Sequence, residues 1–176
     1  MPLRIVWLSG WAGAGKDTMA ANLCGKYGYT RVAFADSLKD YCAAKYSFDR
    51  GRCDTPDGKN SVVDSQQKTV RQILIEESAE AKKQNINVFA SAALAKIGGK
   101  QLFVISDWRF PHEFDCISSA LPLAQHIRVR ITREGLVALK DPSEHALDDA
   151  TFDTNIINTC LKRLEEDVIK FLADFK

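Results

Sequence analysis

Short apolar runs recur along the chain, and their spacing predicts five strands. Runs of this kind are typical of strands that are buried in a sheet. They cover residues 3–8, 30–35, 101–106, 126–131 and 155–157. We therefore expect five buried strands, separated by segments long enough to hold helices.

The segments between these runs carry the three-to-four spacing of helices. Helices are expected from residue 19 onward, over 36–46 with Asp36 as the N-cap, from residue 70, over 88–97, and over 161–175. The last of these is amphipathic, with Leu164, Val168 and Leu172 on one face. The polar stretch 49–64 predicts a loop that is either mobile or ordered by a ligand. Strands that alternate with helices predict an α/β fold with three layers, in which helices cover both faces of a five-stranded parallel sheet.

Length and composition narrow the class of protein. The 176 residues are enough for one domain, 1–176, but hardly for two. A net charge of +1 gives no electrostatic reason to expect a nucleic-acid surface, although a local basic groove is compatible with it. Five dispersed cysteines without a C-x-x-C pair favour reduced thiols, and hence a cytoplasmic, intracellular protein. No apolar run approaches membrane-spanning length, and we expect no signal peptide and no membrane partner.

A glycine-rich segment between the first strand and the first helix predicts a phosphate-binding loop. It has the pattern G-x-x-x-x-G-K, and the strand before it and the helix after it are the context that this pattern requires. Its backbone N–H groups and helix N-terminus favour an anion, and Lys16 adds a positive charge for the β- and γ-phosphates. The predicted ATP-binding residues are Gly10, Ala12, Gly13, Ala14, Gly15, Lys16, Asp17 and Thr18.

One position departs from the usual loop. Asp17 stands where serine or threonine normally follows the lysine, and Thr18 comes one place later. We expect the contact to Mg²⁺ to be made by Asp17 or by water, and Thr18 to donate to a phosphate.

Charged residues follow the predicted strands. The carboxyl ends of parallel strands meet at one edge of the sheet, where ligands bind in such folds. The second strand is followed by Asp36 and Lys39, the third by Asp107, Arg109 and Glu113, and the fourth by Arg133. This collection of carboxylates and cations predicts phosphate and metal chemistry at that edge.

Asp107 and Arg109 allow two interpretations. A carboxylate at the end of an apolar strand is a common second contact to Mg²⁺ in P-loop enzymes, and Arg109 could clamp a phosphate. Alternatively, Asp107 is the N-cap of the next helix and Arg109 is its ion-pair partner. Lys39 and Arg71 lie early in helices, where a solvated charge is as good an expectation as a ligand.

Several segments together resemble the deoxynucleoside monophosphate kinases of bacteriophages and large DNA viruses. The phosphate loop in its Gly-Lys-Asp-Thr form is the most specific of them, and the others are shorter. They are Phe34-Ala35-Asp36-x-Leu38-Lys39, Thr69-Val70-Arg71-Gln72-Ile73-Leu74, Asp107-x-Arg109-Phe110-Pro111-x-Glu113, Ser143-Glu144-His145 and Phe152-Asp153-x-Asn155-Ile156-Ile157-Asn158. The resemblance spans most of the chain.

The resemblance implies that the γ-phosphate of Mg·ATP is transferred to a deoxynucleoside 5′-monophosphate, in host cytoplasm if the protein is viral. It implies a helical monophosphate-binding insertion at about 36–97 and a short lid at about 133–146, whose few arginines put a catalytic arginine from the lid in doubt. Lys16, Arg109 and Asp107 would be catalytic, and Asp17 and Asp107 would hold the metal. The substrate-binding residues would be Asp36, Lys39, Arg71, Trp108, Arg109, Glu113 and Arg133.

Three other functions fit the same residues. A related P-loop kinase could phosphorylate a hydroxymethylated base within DNA. A kinase of the animal phosphomevalonate type shares a similar Gly-Lys-Asp loop. A nucleotide-dependent switch or binding module would bind ATP without acceptor-stimulated turnover. The sequence does not identify the base, and an exposed apolar face on a middle helix would allow a homodimer.

Overall fold

The computed structural model describes residues 2–138 and 140–173. The strands are β1 (Arg4–Ser9), β2 (Thr30–Val32), β3 (Val62–Val63), β4 (Lys68–Thr69), β5 (Leu102–Ile105), β6 (Gln125–Thr132) and β7 (Thr154–Ile157). The helices are α1 (Lys16–Tyr27), α2 (Phe34–Tyr46), α3 (Pro56–Asn60), α4 (Val70–Gln84), α5 (Val88–Leu94), α6 (Pro111–Ala120), α7 (Pro142–His145) and α8 (Leu161–Ala173).

Five strands form one parallel sheet in the order β2-β5-β1-β6-β7. The central strand β1 is paired on both sides, and Val6 lies beside Val104 of β5 and Ile127 of β6. Because β1 is buried on both faces, its residues 5–8 are continuously apolar. The predicted three-layer α/β fold with five parallel strands is confirmed.

The two faces of the sheet carry separate cores. Val6 and Leu8 pack toward α1 and α8, where Leu23 and Leu164 are buried. Ile5 and Trp7 point to the opposite face and join a core formed with α2, α5 and α6. Helix α8 buries Leu164, Val168 and Leu172, which is the apolar face that its sequence predicts. Phe175, the predicted end of this helix, lies outside the described residues, as does Leu139 in the predicted lid.

The stretch 49–64 is folded, and the prediction of a plain loop is wrong. It contains a 3₁₀ turn at Arg50–Cys53, helix α3, and strand β3, which pairs antiparallel with β4. Thr55 caps α3 by accepting a hydrogen bond from the Gly58 N–H. Buried Cys53 and Val63 anchor the segment against α2 and α4 in a third apolar cluster. The periodicity missed it because each element is five residues or fewer.

Helix α2 begins two residues earlier than predicted. Strand β2 ends at Val32, Ala33 takes the N-cap position, and Asp36 lies inside the first turn. The Ala33 side chain cannot accept a hydrogen bond, and the acceptor comes instead from a distant part of the chain, described below. Among the described residues, none of the helices is both long and apolar enough to cross a membrane.

Candidate active site

The phosphate loop connects β1 to α1 in a conformation that glycine permits. Gly10 and Gly15 have φ angles of 144° and 112°, in the region that side chains disfavour. The buried Lys16 ammonium donates to the carbonyl oxygens of Gly10 at 2.6 Å and of Trp11 at 2.9 Å. These bonds hold the lysine across its own loop. Burial and, next, the nearby Arg109 charge lower the pKa of Lys16.

A polar cleft of about 470 Å³ opens over the loop and the start of α1. It is lined by Gly13, Gly15, Lys16, Asp17, Thr18, Arg133, Asn158, Thr159 and Cys160. We call this cavity the donor cleft. The Asn158 side-chain amide donates to the Ala14 carbonyl oxygen at 2.7 Å, so the end of β7 holds the loop in place.

The donor cleft contains residues that suit a magnesium nucleotide. Asp17 and Thr18 are exposed at its floor, beside the loop N–H groups that would receive phosphates. Mg²⁺ is bound in many kinases by one or two carboxylate or hydroxyl groups together with phosphate oxygens. Asp17 therefore fits the metal-binding role predicted for it.

Asp107 supplies the missing cap of α2. Its two carboxylate oxygens accept from the backbone N–H groups of Phe34 at 2.9 Å and Ala35 at 3.0 Å. Burial raises the pKa of Asp107, and these two hydrogen bonds oppose the rise. The carboxylate therefore caps α2, the helix that follows β2. The alternative interpretation from the sequence made Asp107 the N-cap of the helix that follows β5. Both oxygens are engaged by backbone donors, and Asp107 is not among the residues that line the donor cleft.

Glu113 caps α6 in the same manner. One carboxylate oxygen accepts from the backbone N–H groups of Arg109 and Phe110, both at 3.0 Å. Burial raises the pKa of Glu113 to about 7. The side chain borders the pocket described next, and its main contacts fix the backbone that carries Arg109.

Arg109 reaches away from Asp107 and toward the phosphate loop. Its guanidinium donates to the Ser143 hydroxyl at 2.9 Å and to the Glu144 carboxylate at 2.5 Å. The other Glu144 oxygen accepts from the Ala12 N–H at 2.8 Å. Glu144 is buried, and burial alone would raise its pKa. The hydrogen bonds from Ala12 and Arg109 outweigh this effect, so the pKa of Glu144 lies below its usual value. The ion-pair partner of Arg109 is therefore Glu144. The second interpretation from the sequence had expected Asp107 as this partner.

A second cavity lies at the carboxyl ends of β2 and β5, and we call it the acceptor pocket. It has a volume of about 130 Å³ and is lined by Phe34, Ala35, Leu38, Ser78, Lys82, Phe89, Asp107, Arg109, Phe110 and Glu113. Leu38 and Phe89 also border a larger cavity of about 500 Å³ between α2, α4 and α5, the helical groove. Tyr41, Glu77, Glu80 and Gln84 line the groove as well. The pocket and the groove are therefore adjacent.

The structure does not bring every predicted substrate residue to the acceptor pocket. Asp36 and Lys39 belong to an ion-pair network with the folded segment after α2, in which Lys39 lies 2.9 Å from Asp54. Arg71 is exposed and donates to Asn60 at 3.3 Å. Arg133 lines the donor cleft instead, so its assignment to the acceptor is corrected. The network forms because the segment after α2 folds back on that helix, which the loop prediction did not anticipate.

Trp108 is buried in the core, and its predicted contact with substrate is wrong. Its ring packs edge-on against Trp7 at 5.6 Å and near Phe152 at 5.5 Å. Its indole N–H donates to the Phe110 carbonyl oxygen. Successive residues of extended chain point to opposite sides, so Trp108 turns inward while Asp107 and Arg109 line the acceptor pocket.

The site residues that were not predicted from the sequence include Asn158, Lys82 and Glu144. Asn158 follows the fifth strand directly, so the rule of carboxyl strand ends would have found it. Lys82 lies one helical turn after Ser78, and its ammonium is 4.6 Å from the centre of the Phe110 ring. Glu144 sits in the four-residue helix α7, and no periodicity signals its contact with Ala12.

Comparisons with known proteins agree with the fold. No protein-family model matches the chain, and no curated protein matches it in sequence. A solved structure of the APS kinase CysC of Mycobacterium tuberculosis, in a mutant form, is similar with a TM-score of 0.50 and 12% identity, over 98% of this chain and 99% of that chain. A candidate kinase from Chloroflexus aurantiacus is similar with the same score and identity, over 98% and 97% of the two chains. At this identity the likeness shows the fold alone: the chain has the α/β fold of P-loop kinases.

Proposed function

We propose that this protein is an ATP-dependent phosphotransferase that converts a deoxynucleoside monophosphate to the diphosphate. The observation that supports it is a link between the phosphate loop and a second, cation-bearing pocket. Arg109 lines the acceptor pocket, and Glu144 accepts hydrogen bonds both from Arg109 and from the Ala12 N–H of the phosphate loop. A cation on each side, Lys16 and Arg109, suits a phosphoryl group in transit between two phosphates.

The donor cleft would hold ATP. Loop N–H groups and Lys16 bind its phosphates, and Arg133, Asn158 and Thr159 border the space left for the nucleoside. Asp17 would hold Mg²⁺ together with phosphate oxygens, Thr18 would donate to a phosphate, and Asp107 would reach the metal through water. The bound Mg²⁺ neutralises negative charge on the phosphates.

The acceptor would span the pocket and the adjoining groove. Arg109 and Lys82 supply positive charge for its phosphate, and Phe89 forms a wall that both cavities share. The groove offers apolar surface beside Glu77 and Glu80, a combination that suits a base with hydrogen-bond donors. Lys39 and Arg71 remain candidates for the acceptor phosphate, to which they would turn from their present partners Asp54 and Asn60.

The reaction needs positioning more than covalent chemistry. The attacking oxygen of a monophosphate is already ionised near neutral pH, so no general base is required. The residues bring two polyanions together, exclude water and neutralise charge on the transferring group. Arg109 acts on the acceptor side and Lys16 on the donor side, so charge is balanced without an arginine from the lid.

The choice of a deoxynucleotide rests on the resemblance of the motifs described above. The helical insertion that the resemblance implies would correspond to α2–α5, which enclose the groove. The test is ADP release from Mg·ATP with each common and hydroxymethylated deoxyribo- and ribonucleoside monophosphate. Strong stimulation by one or two deoxynucleotides is expected. A flat response, with ATP binding intact, would contradict the proposal and direct the assay to hydroxymethylated oligonucleotides and phosphorylated small alcohols.

A further inference from the structure

Glu144 joins the two sides of the site while lining neither cavity. Its side chain is 1% exposed, and its two oxygens are used in opposite directions, one by the Ala12 N–H and one by Arg109. Ala12 belongs to the phosphate loop, and Arg109 lines the acceptor pocket. The residues that line the donor cleft include Gly13 and Gly15 to Thr18 but neither Ala12 nor Glu144. The carboxylate therefore leaves the donor cleft open.

We propose that Glu144 is a positioning residue for phosphoryl transfer, which fixes the Arg109 guanidinium against the phosphate loop. This inference rests on the proposed function. Glu144 does not contact the reacting groups. It acts through Arg109 and through the Ala12 N–H.

Electrostatics explain why such a residue is needed. Arg109 and Lys16 are both cations, and Arg109 disfavours the charged form of Lys16. Without a phosphate between them, the two side chains repel each other, and a turn of Arg109 toward water would lower its electrostatic free energy. The Glu144 carboxylate offsets this repulsion from a position that substrates do not occupy. It keeps the pair of cations assembled before the nucleotides arrive, which is the preorganisation that catalysis by charge requires.

The fold holds Glu144 by several independent contacts. Asp141 caps α7 by accepting from the Ser143 N–H at 2.8 Å, and the Ser143 hydroxyl accepts from the same guanidinium nitrogen of Arg109 that bonds Glu144. The neighbouring Leu147 is buried in the core beneath. Glu144 is thus carried by a short, anchored helix, and its position is set by more than the ion pair.

The first test is kinetic and uses the acceptor identified for the wild-type enzyme. Glu144→Ala is expected to lower kcat about 100-fold, because a small misplacement of a charged group has a cost of this order. The KM for ATP is expected to stay within about threefold of the wild type, since Glu144 lies outside the donor cleft. Glu144→Asp, which retains the charge, should recover part of the loss. Asp149→Asn, an exposed carboxylate five positions along, is the control and should leave kcat unchanged.

A double variant asks whether the effect runs through Arg109. If it does, Glu144→Ala adds little to Arg109→Ala, because the group that it positions is already absent. Losses that multiply in the double variant would overturn the proposal. So would a Glu144→Ala variant that keeps the wild-type kcat, or one that binds ATP more tightly, since tighter binding means that the carboxylate competes with phosphate.

A second readout separates this proposal from the proposed function. In NMR spectra of the protein without nucleotides, the Arg109 Nη1 hydrogens and the Ala12 amide report directly on the two contacts. Glu144→Ala should broaden the Arg109 signal and shift the Ala12 amide proton upfield, and Asp149→Asn should do neither. Unchanged signals would overturn the positioning role whatever the substrate is. Altered signals in a protein that phosphorylates no deoxynucleotide would retain the contact and reject the proposed function.

Discussion

Gly10 lies so close to Ile131 that no side chain fits between them. A β-carbon built on Gly10 would be 2.2 Å from the Ile131 carbonyl oxygen, and the Gly10 φ angle of 144° disfavours a side chain independently. The contact sets the start of the phosphate loop against the neighbouring strand β6. The requirement for glycine at this position therefore comes from the packing of the sheet as well as from phosphate binding.

Gly10→Ala is expected to destabilise the protein by about 2 kcal/mol or more, because backbone atoms of β6 must move to admit the methyl group. Gly25→Ala is the matched control within α1. It meets no atom within 4 Å and should stabilise the helix by about 0.5–1 kcal/mol. Urea unfolding measures both changes. Equal stability of the two variants would show that the loop is not constrained by Ile131.

Lys16→Ala should reduce kcat by about three orders of magnitude or more, since it removes the charge that balances the transferring phosphoryl group. The fold should remain, because the lysine bonds only carbonyl oxygens of its own loop. Steady-state turnover and circular dichroism test the two statements. Lys26→Ala at the far end of the same helix controls for the loss of a positive charge. Near-normal activity in Lys16→Ala would refute the kinase assignment.

Arg109 and Arg133 are predicted to affect different substrates. Arg109→Ala should weaken the monophosphate or slow its transfer by about 10²- to 10³-fold, and leave ATP affinity largely unchanged. Arg133→Ala should instead raise the Kd for ATP, because Arg133 lines the donor cleft. Calorimetric titration with ATP, together with KM values for both substrates, separates the two. Loss of ATP binding in Arg109→Ala and not in Arg133→Ala would reverse the assignment of the two cavities.

Glu113 should make the folded state more stable at acidic pH. Its pKa rises from 4.5 to about 7 on folding, so between these values the folded protein binds more protons than the unfolded chain. The contribution to the free energy of unfolding is present below pH 4.5 and is lost as the pH rises toward 7, by on the order of 3 kcal/mol. Glu113→Gln should remove this component. The comparison is urea unfolding of both proteins at pH 5 and pH 7.5, and parallel pH dependences would contradict the shift.

The centre of the sheet could be predicted from the sequence because β1 and β5 are buried on both faces. Ile5 and Trp7 serve one core and Val6 and Leu8 the other, so the run is apolar without interruption. The phosphate loop could also be predicted, because its glycines and lysine lie close together in the sequence. The folding of the segment 49–64 could not be predicted, because its elements are too short to show a period. These elements are stabilised by a helix cap and by contacts with α2 and α4.

In the site as well, features set by neighbouring residues could be predicted, whereas contacts between residues far apart in the sequence could not. The position of Asp107 at a strand end was predictable, but its role as the cap of α2 depends on a helix 73 positions away. Trp108 and Arg109 are neighbours in sequence, and which of them faces the pocket depends on how the chain leaves β5. Glu144 meets Ala12 across 132 positions, and only the folded structure brings them together.

The most direct test of the proposed reaction follows the phosphate itself. The protein is incubated with ATP labelled in the γ-phosphate and with the deoxynucleoside monophosphate that best stimulates ADP release, and the products are separated by chromatography. We expect label in the β-phosphate of a deoxynucleoside diphosphate, and no labelled diphosphate with Lys16→Ala. Label found only in inorganic phosphate, or only in a modified base of added DNA, would contradict the proposed transfer.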